Sequence, residues 1–221
     1  MRFEILVEDQ SGKEMLKALL PKILGEGHQR RIFAYKGLGR IPRDLGGKPD
    51  LRKWLLLNDL PMRLRGYGKA FRESGEAAAV IVVCDLDKRE REGFLAELRA
   101  VLAGCDPAPE TRFCLAIEEG EAWLLGDREA ILRAYPRAKK SVLKRYKKDS
   151  ICGTWERLAD AIHPGGSKAL EAEGPSTIGQ EKSRWAKEIA PRMDPDRNRS
   201  PSFAHFRDQL RALAPNTGAP S

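Results

Sequence analysis

The chain has no apolar run long enough to span a bilayer, which predicts that it has no transmembrane helix. Its first ten residues, MRFEILVEDQ, are too acidic and contain too short an apolar stretch for a secretory signal peptide. We therefore expect a cytoplasmic protein that does not bind a membrane.

Metal-binding cysteine and histidine patterns are also missing. The chain has only three histidines, which are scattered, and none of its four cysteines belongs to a CxxC pair: Cys84, Cys105, Cys114 and Cys152. A structural zinc site is therefore excluded as an explanation of the fold. Cys84 and Cys114 lie inside apolar runs, so we predict that they are buried thiols.

A nucleotide-binding phosphate loop is absent as well. The stretch SGKE at residues 11–14 lacks the upstream glycine of the GxxxxGK[ST] pattern. ATP hydrolysis by that route is excluded for this chain.

Basic residues are in excess, with a formal net charge of +8 and a pI of about 9.4. One cluster lies within residues 36–69 and a second, RAKKSVLKRYKK, occupies residues 137–148. A solvated helix face would explain either cluster. Two clusters on a basic chain favour a phosphate-binding surface and hence a nucleic-acid partner, with Tyr146 as a base-stacking candidate. The residues that we predict to bind nucleic acid are Lys139, Lys140, Lys144, Arg145, Lys147 and Lys148.

Apolar strand-like segments alternate with helical patterns over the first 135 residues. The predicted strands are FEILVE (3–8), RRIFAY (30–35), AAAVIVVCDLD (77–87) and TRFCLAIEE (111–119). We expect Ser11 to cap the first helix with Glu14 as its partner, and a helix over 51–74 to break near Pro61. The four tryptophans, Trp54, Trp123, Trp155 and Trp185, are predicted to be core residues.

The pattern predicts an α/β fold with a largely parallel sheet flanked by helices. We assign residues 1–135 to this α/β domain. Residues 136–221 are then a helical, basic C-terminal portion packed on it, with a frayed tail from about residue 214.

Acidic residues follow three of the predicted strands. The first ends at Glu8, with Asp9 next, the third ends in Asp85 and Asp87, and the fourth ends in Glu118 and Glu119, with Glu121 just beyond. Strand exits of a parallel sheet share one edge, where ligands bind. Alternation along an extended strand would point Asp85 and Asp87 the same way, as a site for Mg²⁺ requires. Turn and helix-cap roles are the alternative for any one of these acids.

Four stretches resemble a known family: VEDQSGKE, CDLD, AIEEGEAWLLGDREAILRAYP and RSPSFAHFRDQLRAL. They look like the DUF4276 family of Toprim-like proteins. That group is related to the Toprim domains of topoisomerases, primases and overcoming-lysogenization-defect nucleases. The resemblance implies a Toprim-like, Rossmann-like fold in which Glu8 is a metal ligand or general base and Asp85 and Asp87 bind metal. Many Toprim proteins have a second acid four residues after this glutamate, where the present chain has Gly12.

We therefore expect a nuclease, a phosphodiester hydrolase that depends on Mg²⁺ or Mn²⁺. The predicted catalytic residues are Glu8, Asp85, Asp87, Glu118, Glu119 and the phosphate-holding Lys13. The predicted metal ligands are Glu8, Asp85, Asp87 and Glu118, and Glu119 is the alternative to Glu118. The resemblance also implies an ABC/SMC-like ATPase partner and a role in defence against phages or mobile elements. The alternatives are a non-catalytic nucleic-acid-binding or regulatory subunit and a phosphatase or nucleotidyl-transferring enzyme.

Overall fold

Four parallel strands form the centre of the computed structural model, which describes residues 1–47, 53–151 and 153–214. The strands are β1 (Arg2–Val7), β2 (Gln29–Ala34), β3 (Ala78–Asp85) and β4 (Thr111–Ala116). Their order in the sheet is β2-β1-β3-β4, so β1 and β3 are the central pair. The prediction of an α/β fold with a parallel sheet flanked by helices is confirmed, and the arrangement is consistent with a Rossmann-like fold.

Helices connect the strands and continue to the end of the described chain. They are α1 (Gln10–Leu24), α2 (Leu56–Ser74), α3 (Arg91–Ala103), α4 (Glu121–Leu125), α5 (Arg128–Ala134), α6 (Lys140–Arg145), α7 (Thr154–Ile162), α8 (Gly166–Glu173), α9 (Pro175–Ile189) and α10 (Pro201–Leu213). A single 3-10 turn at Ala190–Arg192 follows α9.

The central strands bury side chains on both faces, as a parallel sheet requires. In β3, Ile81 and Val83 join the core beneath α1, and Val80 and Val82 join the core beneath α2 and α3. In β1, Ile5 is aligned with Ile81 and belongs to the first of these cores. This register brings the carboxyl ends of β1 and β3 to the same level at one edge of the sheet.

The C-terminal helices complete the core on the α1 face. Helix α9 packs against α1, and α10 packs against β4. The ring of Trp123 in α4 lies 4.8 Å from the ring of Phe206 and 5.6 Å from that of Phe203, between ring centroids. The indole N–H of Trp123 also donates to the Ser202 hydroxyl at 2.9 Å. The division of the chain at residue 135 stays a prediction, but the two portions share this hydrophobic core.

Two local predictions about helices are wrong. Helix α2 continues through Pro61 without a break. A proline inside a helix costs about 3 kcal/mol. The burial of Leu57, Leu60 and Leu64 on the same helix offsets that cost, at roughly 1.5–3 kcal/mol for each side chain. The first helix is capped by Asp9 and not by Ser11.

The predictions about buried residues are mostly confirmed. Cys84 and Cys114 are buried, and burial raises the pKa of both thiols. Trp123 and Trp185 are core residues, whereas Trp54 is 36% exposed, so its assignment to the core is wrong. Trp155 is partly buried and packs against the core. Cys152 and the predicted frayed tail beyond residue 214 lie outside the described residues.

Within the described ranges, none of the helices has the length and apolar character needed to cross a membrane.

A pair of glycines in α2 tests the packing of this helix. A Cβ atom at Gly68 would lie 1.8 Å from the carbonyl oxygen of Pro107, which is backbone and cannot swing aside. We expect Gly68→Ala to lower the free energy of unfolding by about 1–3 kcal/mol, as overpacking does. Gly66→Ala is the matched control, because a Cβ atom there meets nothing within 4 Å. It should be neutral or stabilising by up to about 1 kcal/mol in the same urea titration. Equal destabilisation by the two changes would contradict this packing.

Candidate functional site

Glu8 and Asp85 lie side by side at the carboxyl edge of the sheet. Glu8 directly follows β1, and Asp85 is the last residue of β3. The backbone N–H of Asp85 donates to Glu8 Oε2 at 3.1 Å. The parallel register of β1 and β3 therefore brings together two of the acids predicted to act together.

Asp9 sits beside this pair as the N-cap of α1. Its Oδ1 accepts the backbone N–H of Gly12 at 2.7 Å, and its Oδ2 accepts the Ser11 hydroxyl at 2.8 Å. A side chain at position 12 would begin 2.5 Å from Val7 Cγ2. The second acid that many Toprim proteins have at this position would therefore clash with the Val7 side chain, and its replacement by Asp9 or Glu14 stays a prediction.

Glu119, Glu121 and Lys182 form the other side of the site. Lys182 comes from α9, and its Nζ lies 3.1 Å from Glu121 Oε2 and 3.5 Å from Glu119 Oε2. Glu121 is buried in the first turn of α4. The sequence alone did not identify Lys182, because nothing in its local context distinguishes it from other helical lysines. We call Glu8, Asp9, Asp85, Glu119, Glu121 and Lys182 the acidic cluster.

Burial raises the pKa of four carboxyls of this cluster, those of Glu8, Asp85, Glu119 and Glu121. It raises the pKa of Glu8 to about 7, opposed by the Asp85 N–H and reinforced by the charges of Asp87 and Asp9. Burial likewise raises the pKa of Glu121 to about 7, despite the neighbouring Lys182. The pKa of Asp85 is raised by burial and then by Glu8. The fold thus holds several acids close together and away from water, although their negative charges repel one another.

Lys182 supplies the compensating positive charge. Burial by itself would lower the pKa of this ammonium group, but the charges of Glu121, Glu119 and Asp85 outweigh burial and raise it. Lys182 therefore stays charged at neutral pH. The ammonium group of Lys182 therefore balances part of the negative charge of the cluster.

Asp87 lies beyond the end of β3, at the exposed margin of this arrangement. Strand β3 ends at Asp85, and Asp87 has a φ of +51°, so the strand alternation no longer applies there. Its carboxylate pairs with Arg89 at 2.8 Å and is half-exposed. The strand alternation on which the prediction was based therefore does not extend to Asp87, but Asp87 is near enough to raise the pKa of Glu8, and its role as a metal ligand stays a prediction.

The Glu118 carboxylate caps the N-terminus of α7. Its two carboxylate oxygens accept the backbone N–H groups of Gly153 and Thr154, each at 2.9 Å, at the start of α7. This contact satisfies two of the free N–H groups of the helix N-terminus. The prediction of Glu118 as a metal ligand is untested, and Glu119 is the residue of the pair that faces Lys182.

The basic run from the sequence lies on the surface around α6. Lys139, Lys140, Lys144, Arg145, Lys147 and Lys148 are all exposed. Lys148 lines a cleft of about 650 Å³ with Arg128, Arg197 and Arg199, and none of the described residues that line it belongs to the acidic cluster. Tyr146 is 4% exposed, so its prediction as a stacking residue is wrong. Lys13 lies in the first turn of α1 and is partly buried.

The fit of a divalent cation to the acidic cluster can be judged from its donors and space. Carboxylate oxygens are the ligands that Mg²⁺ and Mn²⁺ prefer. A cavity of about 20 Å³ beside Glu8, Asp9 and Asp85 has room for one water-sized occupant. In the described part of the chain, however, no three Asp, Glu, His or Cys side chains converge closely enough to hold a metal. The oxygen donors are of the type that these cations prefer. To bind a cation, their side chains would have to turn toward a common point.

The fold and this cluster define a Rossmann-like α/β protein with acidic residues at the carboxyl edge of its sheet. The chain belongs to the family described as Domain of unknown function (DUF4276), whose model matches residues 7–211. The match spans every residue of the acidic cluster. No curated protein and no solved structure matches the chain.

The raised pKa of Glu8 makes stability depend on pH. Its pKa is about 7 in the folded protein and near the ordinary 4.5 in the unfolded chain. The folded state then binds the proton more tightly, so stability present below about pH 4.5 is lost as the pH rises to about 7. Glu8→Gln cannot lose a proton. We therefore compare the free energies of unfolding of Glu8→Gln and wild type in EDTA. Between pH 4.5 and 8, the difference should shift in favour of Glu8→Gln by up to about 3 kcal/mol. Urea titrations at a series of pH values measure this difference. Glu97→Gln, an exposed position on α3, is the control, and parallel pH curves for Glu8→Gln and wild type would contradict the burial of Glu8.

The role of Glu118 can be tested separately from metal binding. Glu118→Gln keeps one acceptor oxygen and loses the charge that faces the α7 N-terminus. We expect the free energy of unfolding in EDTA to fall by about 1 kcal/mol, as for the loss of a helix cap. Unchanged stability together with weakened Mn²⁺ binding would instead identify Glu118 as a metal ligand.

Proposed function

We propose that the protein is a nuclease, a phosphodiester hydrolase that acts on nucleic acid with Mg²⁺ or Mn²⁺. The observation that carries this proposal is the contact between Glu8 and Asp85 at the carboxyl edge of the sheet, where ligands of α/β proteins bind. Buried carboxylates with raised pKa values repel one another, and a divalent cation relieves that repulsion.

Glu8, Asp85 and either Asp9 or Glu119 are the residues that would hold the cation. When bound, the cation would supply a Lewis acid for the phosphate and an activated water. Glu8 would be either a ligand of the cation or the general base; in the metal-free protein its pKa is about 7, which suits a base that accepts a proton near neutral pH. Lys182 adds a fixed positive charge that can face a phosphate oxygen.

The resemblance to Toprim proteins supports the same assignment. It brings Glu8 and Asp85 onto positions that bind metal in Toprim nucleases. The ABC/SMC-like ATPase partner and the role in defence against phages or mobile elements belong to the proposal on the resemblance alone.

One observation favours a second candidate, a non-catalytic subunit that binds nucleic acid. Lys182 already compensates Glu119 and Glu121, Asp87 pairs with Arg89, and Glu118 caps α7. A site neutralised in this way can be a structural remnant of a metal site that now serves only to hold α9 against the sheet.

A cleavage assay distinguishes the two candidates. Plasmid, single-stranded DNA and RNA are incubated with the protein in Mg²⁺, Mn²⁺ or EDTA. We expect cleavage in either metal and none in EDTA. Asp85→Asn should reduce the rate by about a hundredfold or more, because several kcal/mol of charge stabilisation is lost and about 1.4 kcal/mol corresponds to tenfold.

The control is Asp208→Asn, an exposed carboxylate on α10 that pairs with Arg207. It should cut as fast as the wild type, and calorimetry of Mn²⁺ binding should show loss of binding in Asp85→Asn only. Equal cleavage by wild type and Asp85→Asn would exclude the nuclease proposal. Binding of nucleic acid without cleavage would favour the non-catalytic subunit.

A further inference from the structure

A cleft of about 690 Å³ opens beside the acidic cluster, between the start of α1 and one face of α9. We call it the α9 cleft. Asp9 lines it and also lines the small cavity beside Glu8 and Asp85, so the cleft borders the acidic cluster. Its wall on α9 is made of Ser176, Gly179 and Ser183, which recur at helical spacing on one face.

The α9 cleft carries cations at its borders. Lys36 follows β2, and Arg184 and Lys187 lie on α9, and all three are exposed. Arg184 also pairs with Glu181 on its own helix. The hydroxyls of the α9 wall add neutral donors that suit phosphate oxygens. A cationic groove lined with hydroxyls beside the candidate metal site is suited to a phosphodiester backbone.

An exposed tryptophan contacts two residues that line the cleft, Tyr35 and Lys36. Trp54 is 36% exposed, and its carbonyl oxygen accepts the backbone N–H of Lys36 at 2.9 Å. Its indole N–H donates to the Ala34 carbonyl at 2.9 Å, and its ring lies 5.8 Å from the ring of Tyr35, which lines the cleft. The Arg63 guanidinium also lies 5.8 Å from the centre of the indole ring. These contacts fix the orientation of the indole, and the exposed part of the residue is the part that a base could reach.

We propose that the α9 cleft binds single-stranded nucleic acid, with Trp54 stacking on an unpaired base and Lys36 and Lys187 contacting the phosphates. The combination of an aromatic platform with a cationic groove is how proteins hold single strands, since the bases of a duplex are not available for stacking. The strand then runs from Trp54 along α9 toward Asp9 and the acidic cluster. This inference rests on nucleic acid being the substrate of the proposed function, and it identifies the strand type and its path.

The α9 cleft is also a different surface from the basic run at residues 137–148. That run is exposed around α6, and its Lys148 faces a separate cleft that also contains Glu129 and Asp196. The charges of the two surfaces can therefore be changed separately by mutation.

The test measures the binding of fluorescein-labelled single strands of about 12 nucleotides by anisotropy, in EDTA at low salt. Trp54→Ala should weaken binding by about five- to a hundredfold, as the loss of one stacked base does. Trp54→Phe lacks the indole N–H but keeps an aromatic ring, so it should retain most of the affinity. Equal losses in Trp54→Phe and Trp54→Ala would mean that the indole hydrogen bond matters and not stacking, which would overturn the proposal.

A glycine pair tests the cleft without disturbing the fold. A Cβ atom at Gly179 or at Gly66 meets nothing within 4 Å, and glutamate is the better helix former at both positions. Gly179→Glu puts a carboxylate in the cleft and should weaken binding about fivefold or more. Gly66→Glu, on α2, should bind within about twofold of the wild type.

The outcomes separate this proposal from the nuclease proposal. Wild type should prefer a single strand to a duplex, and DNA and RNA strands identify which is bound. No binding by wild type, or full binding by Trp54→Ala and Gly179→Glu, overturns the cleft proposal. If Asp85-dependent cleavage is still observed in those cases, the nuclease proposal stands alone. If strands bind in the cleft but none is cleaved, the cleft proposal is supported and the nuclease proposal is excluded.

Discussion

The contact on which the rest of this structure depends is the buried pairing of Lys182 with the carboxylates at the sheet edge. The parallel register of β1 and β3 forces Glu8 and Asp85 together, and the turn after β4 adds Glu119 and Glu121. Leaving buried charges uncompensated costs about 3–5 kcal/mol when one partner is removed. Because Lys182 lies on α9, the C-terminal helices must dock on α1 for the acidic edge to be tolerated.

That docking links the hydrophobic core to the site. Trp123, two residues after Glu121, packs on Phe203 and Phe206 of α10 and bonds to Ser202. The same segment of chain therefore carries an acid of the cluster on one side and anchors the C-terminal portion on the other. Docking also creates the α9 cleft, since α1 and α9 form its walls. Two of the four stretches on which the family resemblance rests, AIEEGEAWLLGDREAILRAYP and RSPSFAHFRDQLRAL, meet in this packing.

The acidic cluster and the α9 cleft have complementary properties. The cluster is partly or fully buried and rich in carboxylates, whereas the cleft is open and bordered by lysine and arginine. A negatively charged strand would be repelled by the first and attracted by the second. A cation in the cluster removes the repulsion, so metal and strand would each favour the arrival of the other.

The alternation of strands and helices, the parallel sheet and the acids at the strand exits follow from the sequence, because hydrophobic periodicity and residue order are local properties. Which acids meet is decided only by the tertiary structure. Positive φ angles turn Asp87 toward Arg89 and accompany the use of Glu118 as a helix cap, and no local pattern encodes either outcome. Lys182 and Trp54 could not be identified from sequence, since Lys182 reaches the cluster across more than sixty residues of chain. Trp54 is held at the surface by contacts with Ala34 and Lys36, which its own helical-looking neighbourhood does not reveal.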